Sequence, residues 1–208
     1  DFMFKKIAAV TLMAMMPMLT FAADFVAGKD YKVLTTAGQV EKAGMIEVRE
    51  FFWYGCPHCF RLDPYIELWR KTKPQDVNFV RTPAALNPVW EGSARGYYAV
   101  EMLGLVEKTH VPLFNAIHER QAPIFDEAKL TAFYQGYGVD AAKFHGLFNS
   151  FAITGKVSQA KALAQKYQLE GVPAVVVNGK YVVSGENQKV IDVTNFLIAK
   201  ERGAVKKK

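Results

Sequence analysis

The two cysteines constrain this chain more than any other feature. They are the only ones among 208 residues, and Pro57 and His58 separate Cys56 from Cys59. An apolar run over 51–54 precedes them, as expected where a buried strand gives way to a helix. A Cys-x-x-Cys pair at such a junction indicates a dithiol that is reversibly oxidised to a disulfide.

The position of the pair predicts two unequal sulfurs. Cys56 should cap a helix that begins at Pro57, with Cys59 one turn further along the same face, within reach of a disulfide. Unpaired backbone N–H groups and the positive helix end favour a thiolate at Cys56, so we predict an exposed nucleophile with a lowered pKa. His58, as a cation or a donor, would stabilise that thiolate further. Cys59 would then resolve the mixed disulfide, and the pair should act as an oxidant.

Other uses of a Cys-x-x-Cys pair fit less well. A haem attachment site needs histidine directly after the second cysteine, where this chain has Phe60. A structural zinc site needs four ligands, and His110, His118 and His145 belong to a different part of the chain. A purely structural disulfide over so short a loop would restrain the unfolded chain little. We therefore predict neither a metal nor an organic cofactor.

Four further residues are candidates for the site. A cis peptide at Val172-Pro173 would leave the backbone N–H and C=O of Val172 free to pair with an extended substrate. An ordinary trans proline is the alternative. Glu50 ends a strand that is otherwise built for burial, and Asp63 follows Cys59 by one turn. If buried, these carboxylates could carry protons during exchange, and surface positions are the alternative.

The order of segments predicts an α/β fold with a mixed sheet and an all-helical insertion. Strands are expected over 31–34, 45–52, 77–81, 174–177 and 180–183, the last two joined by an Asn-Gly turn. Helices are expected from 57, over 156–167 and over 190–202. Apolar residues at helical spacing between 88 and 150 predict three or four packed helices, and the crease beside them is a natural binding cleft.

The N-terminus has the features of a cleavable signal peptide. Lys5 and Lys6 precede an apolar stretch over 7–19, and the small residues Thr20 and Ala22 allow cleavage after about 22 or 23. The stretch is shorter than the roughly 20 apolar residues that a membrane span needs, although an uncleaved anchor is the alternative. We expect a soluble, exported protein in a compartment where disulfides persist.

Charge argues against nucleic-acid binding. The formal net charge of +6 is modest, and part of it comes from the terminal run Lys206 to Lys208. No basic stripe interleaved with aromatic residues appears elsewhere in the sequence, as a nucleic-acid surface would require.

Taken together, the motifs resemble those of the DsbA family of exported thiol-disulfide oxidoreductases. The matching segments keep the family's order and spacing: Glu50-Phe51-Phe52, Cys56-Pro57-His58-Cys59, Asn149-Ser150-Phe151, Gly171-Val172-Pro173-Ala174 and Val177-Asn178-Gly179-Lys180-Tyr181. The resemblance implies a thioredoxin fold with an inserted helical domain. With the boundaries that the residue pattern indicates, we expect the signal peptide at 1–22, the thioredoxin-like domain at 23–87 and 151–208, and the insertion at 88–150.

The resemblance also implies a mechanism. Cys56 would form a mixed disulfide with a newly exported polypeptide in the periplasm, and Cys59 would take part in the internal disulfide. Val172-Pro173 would be the cis-proline loop, and Glu50 the buried acidic residue beneath the dithiol. A DsbB-like inner-membrane partner that passes electrons to quinone would reoxidise the enzyme. The chain departs from some family members in having no cysteines for a second, structural disulfide.

We therefore expect a monomeric dithiol oxidase. A disulfide isomerase or reductase is an alternative, although isomerases of this type usually need a separate dimerisation domain and no segment remains to build one. A peptide-binding periplasmic chaperone with an incidental disulfide is the alternative from outside enzymes.

Overall fold

Five strands form one mixed sheet in the computed structural model, which describes residues 24–205. They are β1 (Lys32–Val33), β2 (Ile46–Phe52), β3 (Val77–Pro83), β4 (Ala174–Val177) and β5 (Tyr181–Ser184). Their order across the sheet is β1-β5-β4-β2-β3, with β2 and β3 parallel and the other pairs antiparallel. The predicted signal segment and the terminal lysine run lie outside the described residues.

Strand β2 lies inside the sheet and leads to the cysteines. All seven of its residues are buried, as expected for a strand covered on both faces. Its charged residues are buried with partners. Arg49 pairs with Glu47 at 2.9 Å, and Glu50 pairs with Arg81 of β3 at 3.1 Å. Buried charge is tolerated only when it is paired, so these contacts let a charged sequence occupy a central strand.

Three helices cover the two faces of the sheet. They are α1 (Pro57–Thr72), α6 (Phe151–Lys166) and α7 (Gln188–Val205). Helices α1 and α7 pack on one face through an apolar cluster with Val48 and Val175, and the end of α6 packs on the other face, where Tyr167 meets Phe51. The α/β prediction with helices around a mixed sheet is confirmed.

Four helices follow β3, at the upper limit of the predicted three or four. They are α2 (Pro88–Met102), α3 (Val106–His118), α4 (Glu127–Gln135) and α5 (Ala141–Phe148). Side chains of Asn87, Asp126 and Asp140 cap three of them by accepting a backbone N–H. Their apolar cluster also contains Phe52, Cys56 and Cys59, so this helical block packs directly against the dithiol.

Helix α6 begins earlier than the predicted residue 156. Ser150 caps it by accepting the N–H of Ile153 at 3.2 Å, and the helix starts at Phe151. Its first half packs with the helical block through Ile153 and Val157, whereas Ala164 packs against the sheet. Because one helix joins both parts, the division at residues 88–150 stays a prediction.

Within the part of the chain that the structure describes, no helix has the length and apolar character needed to cross a membrane.

Candidate active site

The cysteine pair lies where β2 turns into α1. The chain leaves β2 at Phe52, and the N–H of Cys56 bonds to the carbonyl of Trp53 at 3.0 Å, which closes the turn. Cys56 is the N-cap residue of α1, and its sulfur accepts the N–H of Cys59 at 3.4 Å. Pro57 occupies the first helical turn, where its missing N–H costs no hydrogen bond. The predicted capping position of Cys56 is confirmed, and both cysteines are in the thiol state.

The two sulfurs have opposite environments. The hydrogen bond from Cys59, together with the backbone N–H groups of Cys59 and His58, outweighs burial and lowers the pKa of Cys56 to about 6. Burial, followed by the interaction with Cys56, raises the pKa of Cys59. Cys59 is fully buried and Cys56 retains 7% of its exposure, so Cys56 is the sulfur that a substrate can reach. The expectation of an openly exposed Cys56 is wrong, because the helical block packs over it.

The loop before β4 faces the first cysteine. The Cys56 thiol donates a hydrogen bond to the carbonyl of Val172 at 3.5 Å, and the Val172-Pro173 bond is cis. The sequence predicted a free Val172 carbonyl, but in the reduced protein this carbonyl accepts the hydrogen bond of the Cys56 thiol. A cavity of about 850 Å³ begins beside this loop, and His58, Val172, Pro173 and Glu186 contribute to its wall.

Both predicted carboxylates are buried, and a cation lies between them. Arg81 of β3 approaches Glu50 at 3.1 Å and Asp63 at 3.6 Å, and it also bonds Glu67 of α1. Burial raises the pKa of Glu50 to about 7 and that of Asp63 to about 6, although Arg81 opposes both shifts. The charge of Glu50 also contributes to the raised pKa of the Cys59 thiol, which places this carboxyl near the dithiol. Two buried carboxyl groups with raised pKa values therefore share one cation, and Glu50 is the one that acts on the dithiol.

Two further residues extend this network and were not predicted from the sequence. The Tyr54 hydroxyl bonds Nδ1 of His110 at 2.8 Å, and Nε2 of His110 lies 3.0 Å from Asp63 Oδ1. Burial lowers the pKa of His110, so the ring is neutral and bridges a hydroxyl and a carboxyl group. His110 lies on α3, 47 residues from Asp63 in sequence, and no local pattern connects them.

Three side chains of this buried network, Asp63, Glu67 and His110, are of types that bind metal ions. Single ligand atoms of Asp63, Glu67 and His110 lie within 4.8 Å of one another. The guanidinium of Arg81 already contacts both carboxylates, so a fixed positive charge sits where a metal ion would bind. We therefore interpret the group as a buried ion-pair network rather than a metal site.

His58 does not contact the Cys56 sulfur with its side chain. Its Nδ1 pairs with Glu186 of the β5–α7 loop and lies 2.8 Å from Nη2 of Arg61. The hydrogen bonds from Cys59 lower the pKa of Cys56 most, and the backbone and side chain of His58 add smaller contributions in the same direction. Pro57 is exposed at the surface beside it.

Comparison with known proteins gives consistent matches. The model of the DSBA-like thioredoxin domain matches residues 90–192. The thiol:disulfide interchange protein DsbA of Pseudomonas aeruginosa is 39% identical over 204 residues, which cover 96% of this chain and 97% of the relative. The crystal structure of Pseudomonas aeruginosa DsbA superposes with a TM-score of 0.83 at 40% identity, covering 88% of this chain and 97% of that one. The structure of DsbA from Xylella fastidiosa gives 0.81 at 35% identity, covering 86% and 98%.

Proposed function

We propose a role for each residue of this site in disulfide donation, on the premise that the chain belongs to the DsbA family. It is a thiol-disulfide oxidoreductase with a thioredoxin fold and acts as a dithiol oxidase. The observation that carries the proposal is the unequal environment of the two sulfurs. Hydrogen bonds bring the pKa of Cys56 to about 6, whereas burial raises the pKa of Cys59. A low-pKa thiol leaves readily from a mixed disulfide, and a stabilised thiolate favours the reduced enzyme.

In the first step, a substrate thiolate attacks the Cys56 sulfur of the oxidised enzyme. A substrate–Cys56 disulfide forms, the Cys56–Cys59 bond breaks, and Cys59 leaves with the electron pair. Since burial opposes a thiolate at Cys59, this sulfur takes up a proton as it leaves. Glu50 is the group that we propose donates it, and Asp63 connects to Glu50 through Arg81.

In the second step, a second thiolate of the same substrate attacks the substrate sulfur of the mixed disulfide. The substrate disulfide forms, and Cys56 leaves as a thiolate that its hydrogen bonds stabilise. Two electrons have then passed from the substrate to the enzyme. The backbone of Val172, beside Cys56, would align an extended substrate chain as an added strand.

The substrates and the electron acceptor are proposed from the family. We propose that newly exported polypeptides are the substrates, that the enzyme works as a monomer in the periplasm, and that a DsbB-like membrane protein removes the two electrons to quinone. Membranes that contain such a protein should reoxidise the reduced enzyme in the presence of quinone. Reoxidation at the same rate by membranes that lack it would contradict the proposal.

The equilibrium of the dithiol with glutathione tests the oxidase function. We expect a reduction potential close to the roughly −120 mV known for DsbA and well above the roughly −270 mV of thioredoxin. The ratio of reduced to oxidised enzyme can be followed by tryptophan fluorescence or by mass after alkylation. A thioredoxin-like potential would instead favour the reductase or isomerase alternative.

Replacing Glu50 by glutamine tests its role as the proton donor. We expect E50Q to slow disulfide donation about tenfold or more, since general acid catalysis typically contributes at least that much. The difference should be largest below pH 7, because the pKa of Glu50 is about 7 and the carboxyl then carries its proton. The measurement is the ratio of wild-type to variant rates across pH, which cancels the titration of the substrate thiol.

Glu201 provides the matched control for this variant. It is also a buried carboxylate, but it bonds Lys180 and Tyr181 at the hairpin end of the sheet, opposite the cysteines. E201Q should leave the rate of donation unchanged at each pH. Equal rates for E50Q and wild type at every pH would exclude Glu50 as the donor.

A further inference from the structure

Glu186 is a charged residue at the active site that no sequence motif singles out. It lies in the loop between β5 and α7, yet its carboxylate contacts Nδ1 of His58, inside the Cys-Pro-His-Cys motif. The same oxygen, Oε2, accepts a hydrogen bond from Nη2 of Arg61 at 2.8 Å. Glu186, His58 and Arg61 thus form one cluster, the 58–61–186 cluster, at the mouth of the site.

The contacts determine which group donates within the cluster. Nδ1 of His58 cannot donate to Glu186 and accept from Arg61 at the same time. Hydrogen bonds from Arg61 and His58 lower the pKa of Glu186, so this carboxylate is ionised and accepts. A donor paired with an ionised acceptor makes the stronger, charge-assisted bond. The imidazole therefore donates Nδ1–H to Glu186, which fixes the orientation of the ring.

The cluster acts on the Cys56 thiolate through its charges. The hydrogen bond to Glu186 is the main cause of the raised pKa of Arg61, and the nearby Cys56 thiolate adds to it. Hydrogen bonds from Cys59 are the main cause of the lowered pKa of Cys56, and the electrostatic interaction with His58, its neighbour in the Cys-Pro-His-Cys motif, adds to it. Both side chains therefore favour the thiolate, and Arg61 does so as a permanent cation. Glu186 contacts both of them with a negative charge, and so offsets their effect on the sulfur.

We propose that Glu186 is a positioning residue that restrains His58 and Arg61 and thereby sets how strongly oxidising the Cys56–Cys59 disulfide is. With Glu186 present, the imidazole is held toward the β5–α7 loop, and the carboxylate offsets the positive charge of the Arg61 guanidinium at the sulfur. Without it, both groups would act more fully on the thiolate. This inference rests on the proposed role of Cys56 as the reactive thiolate.

The expected effect is moderate because the cluster is partly exposed. The side chains of His58 and Arg61 are 61% and 50% exposed, so solvent and salt screen their charges. We expect E186Q to lower the pKa of Cys56 by about half a unit at low ionic strength. The glutathione equilibrium should then shift about threefold toward the reduced enzyme, since one pKa unit corresponds to a factor of ten. R61Q should shift both quantities in the opposite direction.

The test is a titration of the Cys56 thiolate by its ultraviolet absorbance in wild type, E186Q, R61Q and E170Q, together with the glutathione equilibrium of each. Glu170 is the matched control, because it is another carboxylate in the wall of the same cavity but lies outside the cluster. E170Q should leave the pKa of Cys56 unchanged. Raising the salt concentration to about 1 M should remove most of the E186Q effect.

The outcomes separate this inference from the proposed function. If wild-type Cys56 titrates like an ordinary thiol, the proposed role of Cys56 fails. If the wild-type pKa is low and E186Q shifts it no more than E170Q, only the role of Glu186 is overturned. A downward shift in E186Q, with R61Q moving upward, supports the inference.

Discussion

A Cys56→Ala variant is expected to lose disulfide donation completely. Only the uncatalysed oxidation of the substrate thiols by the added oxidant should remain. Cys56 retains some exposure, whereas Cys59 has none, so no second sulfur can replace it. The measurement is the formation of disulfides in a reduced, unfolded substrate, with circular dichroism to verify the fold. A variant that still catalyses disulfide formation would exclude the oxidase mechanism. Binding of unfolded peptide by this variant would not restore the oxidase mechanism, because the chaperone alternative also predicts such binding and requires no sulfur.

The matching change at the second cysteine should have a different result. A reduced Cys59→Ala variant keeps the Cys56 sulfur but loses the hydrogen bond that contributes most to its lowered pKa. The remaining thiolate fraction can still attack a disulfide peptide and release one of its sulfurs as a thiol. The mixed disulfide should then accumulate, because Cys59, which would attack Cys56 and re-form the internal disulfide in this direction of the reaction, is missing. Mass spectrometry should find the peptide on Cys56. Failure to accumulate this species, with Cys56 alkylated normally, would contradict the proposed order of attack.

Replacing Arg81 by methionine is expected to lower the free energy of unfolding by about 3–5 kcal/mol at pH 7.5, the usual result of removing one partner from a buried ion pair. The Arg81 side chain is 4% exposed and forms ion pairs with Glu50, Asp63 and Glu67. R202M is the control, since Arg202 pairs with Asp76 at the surface, where solvent screens the charges, and its loss should be much smaller than that of R81M. Both are measured by urea unfolding of the reduced proteins.

The pH dependence of this loss follows from the carboxyl groups. Folding raises the pKa of Glu50 to about 7 and of Asp63 to about 6, so the native state binds more protons than the unfolded state between about pH 4 and 7. Stability from these groups is therefore complete below their unfolded pKa values and is lost as pH rises through the folded ones. Without Arg81, deprotonation should be still less favourable.

The loss in R81M should consequently be smaller at pH 5, where Glu50 and Asp63 carry protons and need no cation. Glu67 behaves differently. Although burial raises its pKa, hydrogen bonds from Arg70 and Arg81 bring it to about 2, and Arg70 remains in the variant. An R81M loss that is the same at pH 5 and pH 7.5, or no larger than that of R202M, would contradict this account of the network.

Local sequence predicted the elements around the dithiol well. The apolar run before Cys56 gave the buried strand β2, Pro57 gave the first turn of α1, and the strand β4 was predicted at its observed bounds. These features depend on residues that are neighbours in sequence, whose burial and capping preferences act over one strand or one turn. The predicted start of α6 at residue 156 is wrong, because Ser150 caps the helix and its first turns pack on the helical block rather than on the sheet.

The sequence by itself determined the chemistry of this protein, because a lone Cys-x-x-Cys pair at a strand–helix junction fixes a dithiol at a helix N-terminus. Only the tertiary structure decided the surroundings that tune it. Arg81 pairs with Glu50 from the adjacent strand, His110 meets Asp63 from a separate helix, and Glu186 reaches His58 over 128 residues of sequence. Charges act through space and depend on burial, and both are set by how distant segments pack, so no local pattern could reveal these partners.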